Sequence, residues 1–355
     1  MDNARKNVVI VGGGIIGLTS AFRLAIAHHD VTVFDQSPAK GATWAAAGMI
    51  APSGEIAPGE EANYELEKRA LPAWREVGRL VKDLTGDDID IVETGTLLVG
   101  WDQSDRRQLE QFVEVAQSFN APMTRVERND TPEFFYGVSA RINSGVLMAG
   151  DAWLDPDQVV RLLLSALEKL GVNIVHEHVN EIHSDENRVV VISDHREFHA
   201  DLGLVATGAS GLPDGGSSVT NSVRPVRGAT VRVQGLDRSA QPALRAFVKG
   251  RAFYMVSRPG GYCVLGASAD ERSEAVLEVG ELQRLLRDGL YVVPELETAR
   301  VLETRIGLRP ASPTLEPFFE RLELKGWAWS SGHYRHGVTL APLAALSALE
   351  FVEGS

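Results

Sequence analysis

The sequence predicts an α/β domain joined to a second, α+β domain that contains an antiparallel sheet. Residues 7–35 read NVVIVGGGIIGLTSAFRLAIAHHDVTVFD, which is a β-type run, a glycine turn, a helix-like stretch and a second β-type run ending in an acid. Residues 226–268 contain three short β-type runs, VRGATVRV, FYMVSR and GYCVLGAS, which fit an antiparallel sheet. The chain of 355 residues is long enough for about two such domains.

Composition excludes several classes of partner. The net charge is −13, which repels nucleic acid and anionic lipid, so we expect neither as a partner. No apolar stretch reaches the roughly 18 to 20 residues of a membrane span, and the first residues do not have the layout of a signal peptide. Cys263, the single cysteine, cannot form an internal disulfide. We therefore expect a soluble, cytoplasmic protein.

The glycine turn indicates a dinucleotide site. Gly12, Gly14 and Gly17 fill the pattern G-x-G-x-x-G: the first permits a tight turn, the second lets backbone approach a pyrophosphate, and the third lets the helix pack on the sheet. The phosphates would lie at the positive end of that helix. Asp35 follows at the tip of the second strand, where its carboxylate can accept hydrogen bonds from both ribose hydroxyls. The motif leaves open whether the dinucleotide is NAD or FAD.

The segment after Asp35 differs from a simple NAD domain. GATWAAAGMIAP is a run of small residues whose backbone lies close against something flat, or which forms a tightly buried helix turn. Residues 189–210 then give a hairpin-like pair of strands and the apolar run LGLVATG, a further buried strand that ends in a glycine turn.

The remaining helices and strands are predicted from the residues typical of their starts and ends. Residues 155–171 predict an amphipathic helix with Pro156 in its first turn and Gly171 after its end. Further elements are strands at 93–101 and 141–150, a helix at 104–119 capped by Ser104, a helix at 281–293 that covers one face of the antiparallel sheet, and a flexible connector at 211–218.

Seven ordered segments, spread from about residue 7 to 350, resemble the FAD-dependent D-amino acid oxidase family. Among its members, the AAAGM and GHYRHGVTLAP runs are most similar to the glycine oxidases of thiamine biosynthesis. The segments are VVIVGGGIIGLTSAFRLA, GATWAAAGMIAP, DAWLDPDQVVRLLLSAL, LGLVATGAS, RPVRGATV, RIGLRP and GHYRHGVTLAP.

The resemblance implies the fold and its division. The fold would be a Rossmann-like FAD-binding domain of the glutathione-reductase type plus an α+β substrate domain. FAD-binding segments would be 1–85, 150–220 and 301–355, with substrate-binding segments at 86–149 and 221–300. FAD would be bound without a covalent link, because the strand context of Cys263 does not match a flavin attachment site and favours a buried structural thiol. A homo-oligomer is the expected assembly.

The resemblance also implies a reaction. Glycine or another small amino acid would lose a hydride from Cα to flavin N5 and become an imine, while O₂ is reduced to H₂O₂, and the imine would serve thiazole synthesis. Two alternatives remain open: a dehydrogenase that passes electrons to a quinone, and a non-catalytic FAD subunit of a larger complex.

Three residues match the family's substrate positions. Arg309 matches the arginine that grips the substrate carboxylate with two parallel hydrogen bonds, and its alternative role is a surface arginine before a proline. Tyr254 matches a tyrosine that helps to hold the carboxylate, or it is a packing residue of its strand. Arg335 would add a second positive charge, or it forms a structural salt bridge.

The cofactor-binding residues implied by the motif and the resemblance extend along the whole chain. They are Gly12, Gly14, Ile15, Ile16, Gly17, Asp35, Gln36, Thr43, Ala46, Ala47, Gly48, Met49, Val179, Thr207, Gly208, Gly332, His333, Gly337, Val338 and Thr339. We expect no metal site, because His176 and His178 have no companion cysteine or acidic cluster. The sequence departs from glycine oxidases at Ala252 and Ala269, and we expect these residues to widen the pocket or make it less polar.

Overall fold

The computed structural model describes residues 5–185, 187–218 and 220–355. Its helices α1–α8 are, in chain order, Ile15–Ile26, Ala42–Ala45, Glu61–Glu67, Ala70–Thr85, Gln103–Ser118, Pro156–Lys169, Val279–Val292 and Gly337–Glu353. Its strands β1–β19 are, in chain order, Asn7–Val11, Asp30–Phe34, Met49–Ile50, Thr96–Gly100, Thr124–Glu127, Ser144–Met148, Ala152–Trp153, Asn173–Val175, Val179–Ser184, Val189–Ser193, Glu197–Ala200, Leu202–Val205, Arg224–Gln234, Ala243–Val248, Arg251–Arg258, Tyr262–Gly266, Arg300–Ala311, Phe318–Arg321 and Trp327–Ser331. Short 3₁₀ helices lie at Pro132–Phe135, Gly208–Ser210, Pro294–Thr298 and Tyr334–His336.

A largely parallel sheet forms the first structural unit. Its strand order is β18-β19-β12-β1-β2-β8, and every pair except β18 with β19 is parallel. Strand β1 reads NVVIV because both of its faces are covered. Val8 and Ile10 pack into a core shared with α1, α4, α6 and α8, whereas Val9 and Val11 pack against the three-stranded sheet β11-β10-β9.

A second, larger sheet carries the other half of the molecule. Its order is β17-β13-β16-β15-β14-β4-β6-β5, and its neighbouring strands are antiparallel apart from the parallel pair β4 and β14. Helix α7 packs against β14, β15 and β16, as the pattern at 281–293 predicts. The predicted fold class, a Rossmann-like domain plus an α+β domain with an antiparallel sheet, is confirmed.

Most of the predicted elements are confirmed within a few residues. The helix predicted at 155–171 is α6, with Asp155 as its N-cap, Pro156 in its first turn, and Gly171 at φ +74° just after its end. The strands predicted at 93–101 and 141–150 are β4 and β6. The hairpin-like pair is β10 with β11, followed by the buried strand β12.

The predicted cap of the helix at 104–119 is wrong. Helix α5 begins at Gln103, and its N-cap is Asp102, whose carboxylate accepts hydrogen bonds from the N–H groups of Ser104 and Asp105 at 2.8 and 3.0 Å. The side chain of Asp105 accepts the N–H of Asp102 at 3.2 Å in return. This reciprocal capping box satisfies the first N–H groups of the helix and displaces Ser104 from the cap position.

The predicted connector at 211–218 is held at its centre. The main chain of Asp214 donates to Asn180 O at 3.0 Å and accepts from Ile182 N at 2.8 Å, so it lies alongside β9. The connector is therefore fixed to β9 at Asp214 and is not flexible at this point.

The sheet to which β17 belongs can be compared with the predicted domain boundary at residue 301. Strand β17, Arg300–Ala311, pairs along its whole length with β13 in the large sheet, although the predicted boundary assigns residues from 301 onward to the FAD-binding part. The division into segments remains a prediction. The long β13–β17 pair matters for function because it leads from the outer edge of the large sheet to the cavity described below.

Candidate active site

One cavity, of about 790 Å³, lies between the two sheets. At one end it is lined by the β1–α1 turn, including Gly12 and Gly14, and by Asp35. At the other end it is lined by Tyr254 and Arg309 from the large sheet. The cavity therefore joins the predicted dinucleotide site to the predicted substrate residues.

The β1–α1 turn is built so that only glycine fits at two positions. Gly12 has φ +107°, and a Cβ there would lie 2.5 Å from Ala206 O. A Cβ on Gly17 would overlap Gly12 O, so the absent side chain lets α1 pack directly on the turn. Gly14 is the N-cap of α1 and has no side chain to cap it, which leaves the positive end of the helix facing the cavity.

Asp35 occupies the tip of β2, as the motif predicts. Its carboxylate accepts hydrogen bonds from Gly13 N at 2.6 Å and from Ser37 N at 2.7 Å. These bonds fix its orientation at the edge of the cavity. The position suits acceptance of ribose hydroxyl protons, which remains the predicted role.

The small-residue segment at 44–47 forms a wall whose carbonyl groups are held from behind. Thr230 donates to Ala45 O at 3.1 Å, and Arg232 donates to Trp44 O at 3.1 Å. Arg258 donates to Ala47 O at 2.6 Å, and Arg305 donates to Trp44 O at 2.9 Å. All four donors come from the large sheet, so that sheet fixes the wall by one hydroxyl hydrogen bond and three charge-assisted hydrogen bonds from arginines.

The turn that precedes α8 closes the cavity on another side. Gly332 has φ +77°, and a Cβ there would lie 2.8 Å from Phe318 Cδ1. His333 is 4% exposed; burial, together with the nearby His336, lowers the pKa of His333 to about 4, so its ring is neutral at pH 7. Gly337 has ordinary helical angles and therefore does not turn the chain as a glycine.

The structure brings most of the predicted cofactor-binding residues to this cavity. Those that line it are Gly12, Gly14, Ile15, Ile16, Asp35, Gln36, Thr43, Ala46, Ala47, Gly48, Met49, Val179, Thr207, Gly208, His333, Gly337 and Val338. Gly17, Gly332 and Thr339 are not among the lining residues; the Thr339 hydroxyl donates to the main chain of the lining residue Met49, at O, at 3.1 Å. Contact of any of these residues with a cofactor remains a prediction.

Arg309 and Tyr254 lie over glycines that make room for them. A Cβ on Gly228 would overlap the guanidinium of Arg309, and a Cβ on Gly266 would overlap the phenol ring of Tyr254. Arg309 Nη1 donates to Ser268 O at 3.1 Å. Burial raises the pKa of Tyr254, so its hydroxyl keeps its proton at neutral pH and can donate a hydrogen bond.

Arg335 lines the cavity but is tied to neighbouring groups. Its Nη2 donates to the carboxylate of Glu60 and, at 3.0 Å, to Glu55 O. This arrangement favours the salt-bridge role over a second contact with substrate.

A buried charged cluster that no sequence motif predicts lies next to Arg335. Glu55 forms an ion pair with Arg245 at 2.8 Å, and His336 Nδ1 lies 2.9 Å from Glu67 Oε1. Burial raises the pKa of Glu67. Burial also acts to raise the pKa of Glu55, but Arg245 and its other cationic neighbours outweigh this and lower it, so Glu55 stays ionised.

These residues could not have been found from one sequence. Glu55 lies in APSGEIAPGE, which has the composition of an ordinary loop, and its partner Arg245 is 190 positions away. The register of the large sheet brings the two together, and no local pattern encodes that register.

The two residues expected to widen the pocket lie elsewhere. Ala252 is exposed on β15, and neither it nor Ala269 is among the residues that line the cavity. Their small size therefore does not act directly on the cavity wall.

Cys263 is fully buried on β16 and donates a weak hydrogen bond from Sγ to Leu236 O at 3.2 Å. Burial raises its pKa. In the part of the chain that the structure describes, no group of three or more His, Cys, Asp or Glu side chains is arranged to hold a metal ion. Among those same residues, no helix combines the length and the apolar character needed to cross a bilayer.

Comparison with known proteins adds independent information. The model of a family described as FAD dependent oxidoreductase matches residues 7–349. Glycine oxidase from Geobacillus kaustophilus is 28% identical, over 98% of this chain and 93% of its own length. Glycine oxidase from Pseudomonas aeruginosa is 27% identical, over 98% of this chain and 95% of its own.

Two further comparisons concern a longer relative and a solved structure. The bifunctional protein ThiO/ThiG of Trichormus variabilis is 25% identical over 98% of this chain, which spans only 52% of that protein. The crystal structure of the Geobacillus kaustophilus glycine oxidase superposes with a TM-score of 0.87 at 25% identity, covering 99% of this chain and 95% of that one.

Proposed function

The chain belongs to the FAD dependent oxidoreductase family, and on that premise we propose that it is an amino acid oxidase acting on glycine or another small amino acid. The family resemblance drawn from the sequence is confirmed, and so is FAD as the cofactor. The substrate, the chemical details and a place in thiamine biosynthesis belong to the proposal.

The residues of the cavity fit FAD. The β1–α1 turn presents backbone and a helix N-terminus, without an obstructing Cβ, to a pyrophosphate. Asp35 lines the cavity and would accept hydrogen bonds from ribose hydroxyls, and the small side chains of Ala45, Ala46, Ala47 and Gly48 leave room along the wall for a flat ring. When bound, FAD would supply the redox chemistry, namely acceptance of a hydride from the substrate Cα and reduction of O₂ to H₂O₂.

The single observation that carries the proposal is that Arg309 and Tyr254 line the same cavity as the dinucleotide turn. Arg309 can grip a carboxylate with two parallel N–H donors, and the protonated hydroxyl of Tyr254 can donate to the same group. These two residues would hold the carboxylate and so orient the Cα–H bond toward the redox centre. A strong side-chain base is not needed if the amine lone pair assists as hydride leaves.

The similarity to glycine oxidases supports a small amino acid as substrate. The bifunctional ThiO/ThiG relative supports a link to thiamine biosynthesis, in which the imine of glycine would be passed on. Because this chain spans about half of that relative, the link extends only to the part that is shared.

A peroxide assay tests the proposal. The purified holoenzyme is mixed in air with glycine, sarcosine and D-alanine, and H₂O₂ is measured. We expect peroxide with at least one of them, in proportion to the amino acid consumed. Reduction of an artificial dye without peroxide would instead indicate a dehydrogenase, and neither product with any of the three would contradict the proposal.

A further inference from the structure

An acidic side chain lies at the end of the cavity lined by Arg309 and Tyr254, and the proposed function has not yet given it a role. Three of the described residues that line the cavity are acidic: Asp35, Glu55 and Glu177. Asp35 and Glu177 lie at the far end, because the backbone N–H of each donates to Val175 O at 3.0 Å. Glu55 is the member of this group that lies at the other end.

Strand register places Glu55 beside Tyr254. Glu55 is bonded through Oε1 to Arg245 at 2.8 Å, and Arg245 on β14 is the direct cross-strand partner of Tyr254 on β15. Residues directly opposite each other on one face of an antiparallel pair have their Cβ atoms about 4.5 to 5.5 Å apart. Electrostatic coupling of Glu55 with both Tyr254 and Arg309 agrees with this placement.

The charge of Glu55 is secured by its surroundings. Arg245, His336, Arg335 and Arg309 all favour its ionised form over the opposing effect of burial. Its side chain keeps 11% exposure, toward the cavity that it lines. Neighbouring acids differ in this respect: Glu60 pairs with Arg335 and Glu67 with His336, and neither lines the cavity.

One chamber therefore carries a cation, Arg309, and an anion, Glu55. An α-amino acid in its zwitterionic form carries the complementary pair of charges on two groups attached to the same carbon; after binding, the ammonium would lose one proton to solvent before its lone pair can assist hydride loss. A hydroxy acid or a simple carboxylic acid offers only the negative one, so its binding would leave Glu55 facing a neutral group beside another anion. Selection by a buried polar group that loses its partner is much stronger than selection by shape alone.

We infer that Glu55 receives the amino group of the substrate and selects amino acids over the corresponding hydroxy acids. This inference rests on the proposed function, because Arg309 must hold the carboxylate at the same time. It makes Glu55 a specificity-determining residue that contacts the substrate, while Arg245 keeps it in position.

Ligand affinities of the holoenzyme test the inference. The dissociation constant of glycine comes from the concentration dependence of flavin reduction without oxygen, and that of glycolate from the change in flavin absorbance. We expect the wild type to bind glycine at least 10-fold more tightly than glycolate, and Glu55→Gln to weaken glycine roughly 10- to 100-fold while glycolate binds as tightly as before or more tightly, because the neighbouring anion is gone. Glu60→Gln, which removes a neighbouring acid that does not line the cavity, should leave the ratio of the two constants unchanged.

Several outcomes would overturn the inference. They are a wild type that binds glycolate as tightly as glycine, equal weakening of both ligands in Glu55→Gln, and no weakening of glycine in that variant. If Glu55→Gln does not fold with FAD, two other results test the inference. One is the ratio of the glycolate and glycine dissociation constants in the wild type, and the other is the same ratio in Glu55→Asp, which keeps the charge and should keep the preference for glycine. If no small amino acid reduces the wild-type flavin, the proposed function itself fails, which is a distinguishable result.

Discussion

At the scale of single residues, the arginines of the large sheet divide into two kinds. Arg232, Arg258 and Arg305 donate to main-chain carbonyls of the small-residue wall and are nearly or fully buried. Arg309 instead donates one Nη to Ser268 O and lines the cavity. The same residue type thus fixes the wall in one case and faces the proposed substrate in the other.

Replacing Arg309 tests its proposed role. Arg309→Ala should keep bound FAD and the yellow colour, because Arg309 lies on β17 of the large sheet and not in the dinucleotide turn. Its kcat/KM should fall by a factor that corresponds to roughly 2 to 4 kcal/mol, the value of a lost charge-assisted pair. Arg309→Lys keeps the charge but loses the bidentate donor, so its kcat/KM should lie between those of the wild type and Arg309→Ala. Steady-state kinetics check this, and a kcat/KM equal to that of the wild type would remove Arg309 from the site.

Gly17 tests the packing of the dinucleotide turn. In Gly17→Ala the new Cβ would overlap Gly12 O, so α1 must move away from the turn. We expect FAD affinity to fall at least about 10-fold and the unfolding free energy to fall by about 1 to 3 kcal/mol, as for other overpacked positions. Flavin fluorescence titration and thermal unfolding measure the two effects.

Gly150→Ala is the matched control for that change. Gly150 lies in an exposed turn, and a Cβ there would meet nothing within 4 Å. FAD affinity and stability should both stay at wild-type values. Equal behaviour of the two variants would show that Gly17 is not required for packing.

At the scale of elements, a helix boundary is predicted correctly when the residues that determine it lie within the helix's own sequence. Helix α6 is predicted well because its cap residue, its proline and its terminal glycine all lie within its own sequence. The cap of α5 is missed by two residues because serine and aspartate both cap helices, and only the reciprocal bonds of Asp102 and Asp105 decide between them. Sequence predicts that a helix forms there better than where it begins.

The corrected cap leads to a stability prediction. Asp102→Ala should lower the unfolding free energy by about 0.5 to 2 kcal/mol, because the N–H groups of Ser104 and Asp105 lose their acceptor. Ser104→Ala, at the residue that the sequence indicated as cap, should change it by less than about 0.5 kcal/mol. Urea unfolding distinguishes the two, and a larger loss in Ser104→Ala would restore the original assignment. Activity should be unchanged in both variants.

At the scale of the whole molecule, function depends on contacts between distant segments. The fold class and most of the residues that line the cavity follow from motifs and from a resemblance carried by seven ordered segments. Glu55, Gly228 and the hydrogen bonds to the wall at residues 44–47 do not follow, because each depends on the register between strands far apart in sequence. A single sequence carries no record of such pairings.

Asp151 makes global stability depend on pH. It is fully buried and accepts the N–H groups of Ser53 and Gly54 at 3.1 and 3.0 Å, and burial raises its pKa from 3.8 to about 7. The folded state therefore holds a proton that the unfolded state has lost between about pH 4 and 7, so this group's contribution to stability falls as pH rises through that range.

The variant Asp151→Asn isolates this effect. The difference in unfolding free energy, wild type minus variant, should decrease by up to about 4 kcal/mol as pH rises from 4 to 7, at about 1.4 kcal/mol per pH unit. Urea unfolding at intervals of one pH unit measures the slope. A difference that is constant over this range would show that Asp151 is ionised in the folded protein.

We propose that an amino acid held by Arg309 reduces FAD bound in the same cavity. Anaerobic addition of glycine, sarcosine or D-alanine to the holoenzyme tests this proposal, with the flavin absorbance followed at about 450 nm. We predict that at least one of them bleaches this band and that air then restores it with release of H₂O₂. A flavin that stays oxidised with every one of these amino acids would contradict the claim.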